Sequence, residues 1–348
     1  PRYSIAFAVI TKGVGATTTI AGPFFGRDEF DAGRNGGAVW ENETLLSLTE
    51  SSAFPNLGRQ KDADIVATLR QSPNLSDWEG LEVRAVAELH STNDRHHFDH
   101  PNPVKPVTVL SGRGFNIWNS FTGEVFATAE YETVRTELIR RLHNQMKLKK
   151  SAFHGLSWPE DFDGKLPFER PRIAIRALTN PTNSRTTIPV LLPALRIIPD
   201  TALYLFFRNA APRQEAYLLA VLSSIPLDWY SRKFIETKMM NHFLNAFPIP
   251  AVTAGKLSDR IIDLSARLAS ENDQFSEWAE QIGVPVGSLS DPVEREEAIA
   301  ELDGLVALAY GLTRDQLEHI FATFHRGWDP GVRAEQALAA FDEWSKRV

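Results

Sequence analysis

The chain has 348 residues, 43% of them hydrophobic and 23% charged, which suits a globular protein of about two or three domains with sizeable cores. It contains no cysteine, which excludes disulfides, zinc–thiolate sites and cysteine nucleophiles and fits a reducing, cytoplasmic setting. The net charge of −7 is unevenly spread: −5 over residues 1–131, +7 over 132–250 and −9 over 251–348. A basic middle between acidic flanks suits a nucleic-acid surface on the central part, the alternative being a solvated helix face. Neither a membrane span nor a signal peptide is evident. The chain opens on Pro1 and enters an apolar stretch at once, so it is expected to be a fragment of a longer protein.

Residues 3–11 (YSIAFAVIT) read as a buried strand, with 16–25 (ATTTIAGPFF) as its hairpin partner. Gly13-Val14-Gly15 lacks the third glycine and the helix of a dinucleotide fingerprint. Residues 26–60 are expected to be loop-rich. Residues 62–71 predict a short amphipathic helix with Ile65, Val66 and Leu69 inward. Residues 78–90 (WEGLEVRAVAELH) read as strand-like, before a turn at 91–94.

The run His96, His97, Asp99, His100 raises a metal site, and Glu88, Asp94 and Asp99 raise paired acid–base carboxylates. Both readings compete with a solvated loop, because nothing here fixes converging ligands. Residues 107–119 have strand character around Gly112-Arg113-Gly114, where the glycines let the backbone approach something closely. Residues 130–150 form the clearest helix, with Val134, Leu138, Leu142 and Met146 on one stripe. Its last turn holds Lys147, Lys149 and Lys150, which either complement the helix dipole or contact phosphate.

Residues 172–187 (RIAIRALTNPTNSRTT) begin with the alternation of a half-buried strand. Ile173, Ile175 and Ala177 share one face, and Arg172 and Arg176 the other. A loop of Asn, Thr, Pro and Ser follows, closed by Arg185, and amides beside guanidinium groups are the side chains that read base edges and hold phosphates. The rival reading is a solvated sheet edge. Residues 203–207 predict a buried strand, and 213–224 and 227–238 two helices broken at Pro226. His242 and Asn245 are expected to tie the next short segment to the Pro-rich exit at 247–250. From Lys256 the pattern is helical almost throughout, at 257–281, 292–310, 314–324 and 332–346, and reads as a bundle.

Six of these stretches in order resemble the C-terminal part of γ-class adenine-N6 DNA methyltransferases, such as type IIG and single-chain restriction–modification enzymes and the BREX phage-defence methyltransferases. They are PRYSIAFAVITKG, SSAFPNLGRQKDADIVATL, LEVRAVAELHSTNDRHHF, RIAIRALTNPTNSRTTIPVLLP, LLAVLSSIPLDWYSRKFIETKMMNHFLNAFPIP and ELDGLVALAYGLTRDQLEHIFATF. Ser223-Ser224 departs from the family's usual Asn-Ser.

The resemblance implies an α+β chain: the end of a methyltransferase core and linker at 1–77, a mixed, β-rich target-recognition domain at 78–250, and a helical domain at 251–348. It implies duplex DNA as partner, together with upstream methyltransferase and possibly nuclease domains. S-adenosylmethionine would belong to the parent enzyme. The family's Asn/Asp-Pro-Pro-Tyr/Phe motif is absent, since Asn180-Pro181 runs into Thr182 and Asn102-Pro103 into Val104. No cofactor or catalytic residue is therefore expected here. On this reading Arg113, Lys147, Lys149, Lys150, Arg172 and Arg232 contact phosphates or grooves. Asn116, Arg176, Asn183 and Arg185 would read bases, because Arg suits guanine and Asn suits adenine. The alternative is a protein-interaction module of a defence complex.

Overall fold

The structure is a computed structural model that describes residues 15–22, 24, 26–47, 57–81, 83–98, 102–180, 182–208, 210–235, 237–325 and 329–347. The strand expected at 3–11 lies outside the described residues. The fold is α+β, and the chain divides into two compact units, residues 1–64 and 65–348.

In the first unit, strand β1 (Thr17–Ile20) pairs antiparallel with β2 (Ala38–Glu41), Thr17 opposite Glu41 and Ile20 opposite Ala38. Helix α1 (Arg27–Gly33) lies between them in sequence, and α2 (Asn42–Ser47) follows β2. Asn42 fixes the corner, donating to the Gly15 carbonyl (2.7 Å) and accepting from the Thr18 hydroxyl (2.6 Å). The stretch 26–60 is thus not simply loop. Its elements are too short, at seven residues or fewer, for periodicity to show. Helix α3 (Gln60–Leu69) buries Ile65, Val66 and Leu69, as their spacing predicts.

The second unit contains two sheets. β3 (Arg84–Val86), β6 (Arg172–Arg176), β7 (Pro189–Leu192) and β9 (Ala202–Phe206) form an antiparallel sheet in the order β3-β9-β6-β7. β4 (Pro106–Val109), β5 (Ala127–Glu130) and β8 (Arg196–Ile197) form a second sheet in the order β5-β4-β8, with β4 and β8 parallel. Helix α4 (Tyr131–Met146) follows β5 and buries Val134 and Leu142 in a core shared with Val107, Val109, Val190 and Ile197. Leu138 and Met146 of the predicted stripe lie half-buried against the same core.

Among the described residues of the stretch 78–90, Arg84–Val86 pair as a strand, and Leu89 makes an isolated bridge to Pro199. Trp78 is instead a buried anchor, stacked on Tyr217 with ring centroids 6.2 Å apart and donating from Nε1 to the Pro250 carbonyl (3.0 Å). β6 also differs from its half-buried expectation. It lies between β9 and β7 and is covered on both faces from Arg172 to Ile175.

The remaining elements are helices: α5 (Pro212–Ser223), α6 (Ile225–Ser231), α7 (Asn241–Asn245), α8 (Lys256–Ala269), α9 (Ser276–Ile282), α10 (Pro292–Ala309), α11 (Arg314–Thr323) and α12 (Gly331–Trp344). The break before Pro226 falls at Ser224, whose hydroxyl caps α6 by accepting from Leu227 N. Asp291 caps α10, and Thr313 with Gln316 makes a capping box on α11. α7 is tied to β3, since Asn241 donates to the Ala85 carbonyl (3.0 Å) and Asn245 accepts from Ala85 N (3.5 Å). Among the described residues, no helix is long and apolar enough to cross a membrane.

Hydrogen bonds join residues on either side of the boundary expected at 250/251. Trp278 Nε1 donates to Glu215 (2.8 Å), Tyr310 to the Pro248 carbonyl (2.7 Å) and Trp229 Nε1 to Thr323 (3.0 Å). Helix α8 packs on α5, and α10 packs on α8 and α12.

At the α10–α12 crossing, a Cβ on Gly304 would stand 2.4 Å from the Ala337 carbonyl oxygen and 3.0 Å from Phe341 N. Gly304→Ala therefore forces two backbones apart. It is expected to cost about 1–3 kcal/mol, read as a lower urea midpoint at unchanged slope. Burial pushes the Glu215 carboxyl up to about 7, only partly offset by the Trp278 hydrogen bond. A carboxyl raised in the folded state stabilises fully below its unfolded value of 4.5 and loses that contribution as pH climbs to about 7. Glu215→Gln should then flatten the fall in stability over that range relative to wild type, measured by urea titrations at each pH.

Candidate nucleic-acid interface

The connection between β4 and β5 runs from residue 110 to 126 and exposes more polar chemistry than its length alone requires. Leu110, Phe115 and Trp118 are buried and anchor it. Asn116 and Asn119 close a tight turn by exchanging backbone hydrogen bonds, 2.8 and 3.0 Å. Gly112 comes so close to the frame that a Cβ would stand 2.8 Å from both Arg176 Cγ and the Thr201 carbonyl oxygen. Gly114 is equally confined, 2.8 Å from the Glu124 carbonyl oxygen. The close approach signalled by Gly112-Arg113-Gly114 is to the protein's own backbone and to Arg176.

Between those glycines Arg113 is exposed, and its guanidinium makes no hydrogen bond or ion pair among the described residues. Asn116 is exposed too. Its side-chain oxygen accepts from Ile117 N (2.9 Å), and its amide NH2 makes no bond among the described residues. Arg176 lies beneath, half-buried, donating from Nη2 to the Phe115 carbonyl (2.7 Å) while its buried Nε has no partner. Burial lowers the Arg176 pKa, with Glu124 nearby raising it and Arg113 lowering it, so the two arginines share one field. An arginine stays charged under such a shift. The structure therefore joins Arg113, Asn116 and Arg176, which are scattered in the sequence, at one loop.

No family model matches the chain, and no curated protein matches it. Among solved structures it is similar to a Type IIL restriction-modification enzyme, MmeI, in complex with DNA. That likeness has 12% identity and a TM-score of 0.35, over 79% of this chain and 36% of that one, so the chain spans about a third of the enzyme's length.

Several expected surface groups are inside. Arg172 pairs with Glu88 at 2.7 Å, donates to the Arg196 carbonyl (2.8 Å) and lies over the Tyr204 ring. Burial pushes the Glu88 carboxyl up, against the pull of Arg172 and Ile198 N, so this pair closes the sheet core rather than facing solvent. Arg185 pairs with Asp228, which is fully buried, and donates to the Ser223 and Ser224 carbonyls. Asp228 also accepts from Thr186 N (3.0 Å) and Thr187 N (2.9 Å).

Arg232 donates to the Asn183 and Ser184 carbonyls (2.9 and 2.7 Å) and lies 4.2 Å from the Phe324 ring centroid. Asn183 thus contributes its backbone to an internal contact. The exposed roles expected for Arg172, Arg185 and Arg232 are corrected by these contacts: each guanidinium is consumed holding the fold. Ser223, at the Asn-Ser departure, leaves its buried hydroxyl unpartnered and supplies only its carbonyl.

Lys147, Lys149 and Lys150 are exposed just past the end of α4. His96 and His97 lie with ring centroids 4.0 Å apart and their planes tilted by 42°, and burial together with His96 lowers the His97 pKa. Asp99 and His100 lie outside the described residues, and no group of three metal-ligating side chains occurs among the described ones. Asp94 accepts from His90 N and pairs with Arg141, so it shapes the turn at 91–94. Exposed Asn119 and Phe121 were not singled out from sequence. A cluster of Asn and Phe after Gly112-Arg113-Gly114 was the available signal.

Arg185→Ala leaves the Asp228 charge buried without its closest partner and should cost about 3–5 kcal/mol of stability. Arg113→Ala, at an exposed site where the guanidinium makes no hydrogen bond or ion pair among the described residues, should stay within about 0.5 kcal/mol of wild type. Urea unfolding of the two variants checks both.

Proposed function

We propose that residues 65–348 recognise duplex DNA in a sequence-selective way on behalf of an adenine-N6 DNA methyltransferase of the γ class, in restriction–modification or phage defence. The observation that carries this reading is the β4–β5 loop, which holds Arg113 and Asn116 outward with Arg176 fixed beneath. A guanidinium can pair with guanine O6 and N7, and an Asn amide with adenine N6 and N7. The exposed lysines after α4 offer the phosphate contacts that give affinity without selectivity. The ordered resemblance of six sequence stretches to the methyltransferase family points the same way. S-adenosylmethionine and the flipped adenine would be held by domains outside this chain, which supplies the address and not the chemistry.

Fluorescence anisotropy on labelled duplexes tests the reading. Affinity should fall steeply between low and physiological salt, and Lys149→Ala should lower the slope of log K against log salt by about 1. Asn116→Ala or Arg176→Ala should cost about 1–3 kcal/mol on a preferred duplex and relax one position of its sequence. Binding indifferent to salt would reject DNA as the partner. Incubated with S-adenosylmethionine and duplex, the isolated chain should transfer no methyl group.

A further inference from the structure

We infer that Glu271 and Arg295, on the acidic helical segment, are positioning residues that set the selectivity of the β4–β5 loop. This rests on the reading of that loop as a duplex-recognition element. The loop's exposed tip is held at two adjacent points by groups far away in the chain. Ser120, itself buried, donates its N–H to both Glu271 oxygens (3.3 Å each) and its hydroxyl to one of them (2.9 Å). Arg295 Nη2 donates to the Trp118 carbonyl, and Arg295 also donates to the carbonyls of Leu289 (3.2 Å) and Leu268 (3.3 Å). The two charged groups lie 3.6 Å apart, and both side chains are about three-quarters buried.

One carboxylate and one guanidinium, 151 and 177 residues downstream of their loop partners, therefore fix the backbone on both sides of Asn119. Trp118, whose carbonyl Arg295 holds, sits at φ 56°, a left-handed conformation that a bulky residue adopts only when its surroundings impose it. Bidentate pairing of an Asn or Arg with a base edge needs the side chain delivered within a narrow geometry. Phosphate contact is far more tolerant. A loop already ordered also loses less freedom on binding. Releasing the grip should consequently weaken selective binding while leaving unselective binding in place.

The test uses the full chain, a duplex selected by the wild-type protein from a randomised pool, and a scrambled duplex of equal length. Glu271→Ala should lower the ratio of the two affinities by about tenfold, the scale of one mismatched base pair, with the scrambled-duplex affinity unchanged. Hydrogen exchange at the Ser120 amide should accelerate, and the urea midpoint should fall because the buried Ser120 amide and hydroxyl lose their acceptor. Glu271→Gln keeps an acceptor for Ser120 and should give an intermediate ratio. Arg295→Lys, which cannot reach three carbonyls at once, should resemble Glu271→Ala and serves if that variant does not fold. An unchanged ratio, or equal losses on both duplexes, overturns the inference while the DNA reading stands. A wild-type protein that prefers no duplex overturns the DNA reading itself.

Discussion

A single buried carboxylate, Asp228, decides how the middle of this molecule is arranged. It is wholly enclosed and receives the Arg185 guanidinium, the amides of Thr186 and Thr187 and the Ser231 hydroxyl. Arg232 stands 3.9 Å away and reaches on to the carbonyls of Asn183 and Ser184. A charge of this kind is tolerable inside a protein only with such a full complement of partners, because the cost of its lost hydration is otherwise several kcal/mol. The loop after β6 is thereby folded inward onto α5 and α6. Its one basic side chain, Arg185, serves the interior.

Local patterns in the sequence were faithful wherever the deciding contacts are local. The spacing of Ile65, Val66 and Leu69 marked the buried face of α3, and Pro226 marked the break between α5 and α6. The alternation in Arg172–Arg176 was misleading for a physical reason. A central strand is covered on both faces, so an arginine on either side must find a partner, and Glu88 lies 84 residues upstream. Gly112-Arg113-Gly114 announced a close approach but not to what. Arg176 was legible as a candidate, its place beneath that turn was not, and the hold exerted by Glu271 and Arg295 had no trace in the sequence at all.

The segmental charges also mean something different once the partners are known. Part of the positive charge of the central stretch is cancelled internally, as in Arg135 with Glu169 and Arg141 with Asp94 and Glu137. The acidic helices likewise pair Glu301 with Arg260 and Asp303 with Arg333. The Asp303 carboxylate also accepts from Ile225 N and so joins α10, α6 and α12. Among the described residues, Arg113 and the lysines after α4 are exposed cations without a hydrogen bond or ion pair, and so are Lys165 and Lys238.

In the β4–β5 connection, structural and outward-facing duties fall on different residues. Leu110, Phe115, Trp118 and Ser120 are buried, while Arg113, Asn116, Asn119 and Phe121 project from the same short stretch. Exchange of Arg113 breaks no side-chain hydrogen bond among the described residues, whereas exchange of Asn116 or Asn119 gives up the one that each accepts from a backbone amide, Ile117 N and Phe121 N. The segment can therefore change its outward chemistry at Arg113 while the buried side chains of the same stretch stay in place.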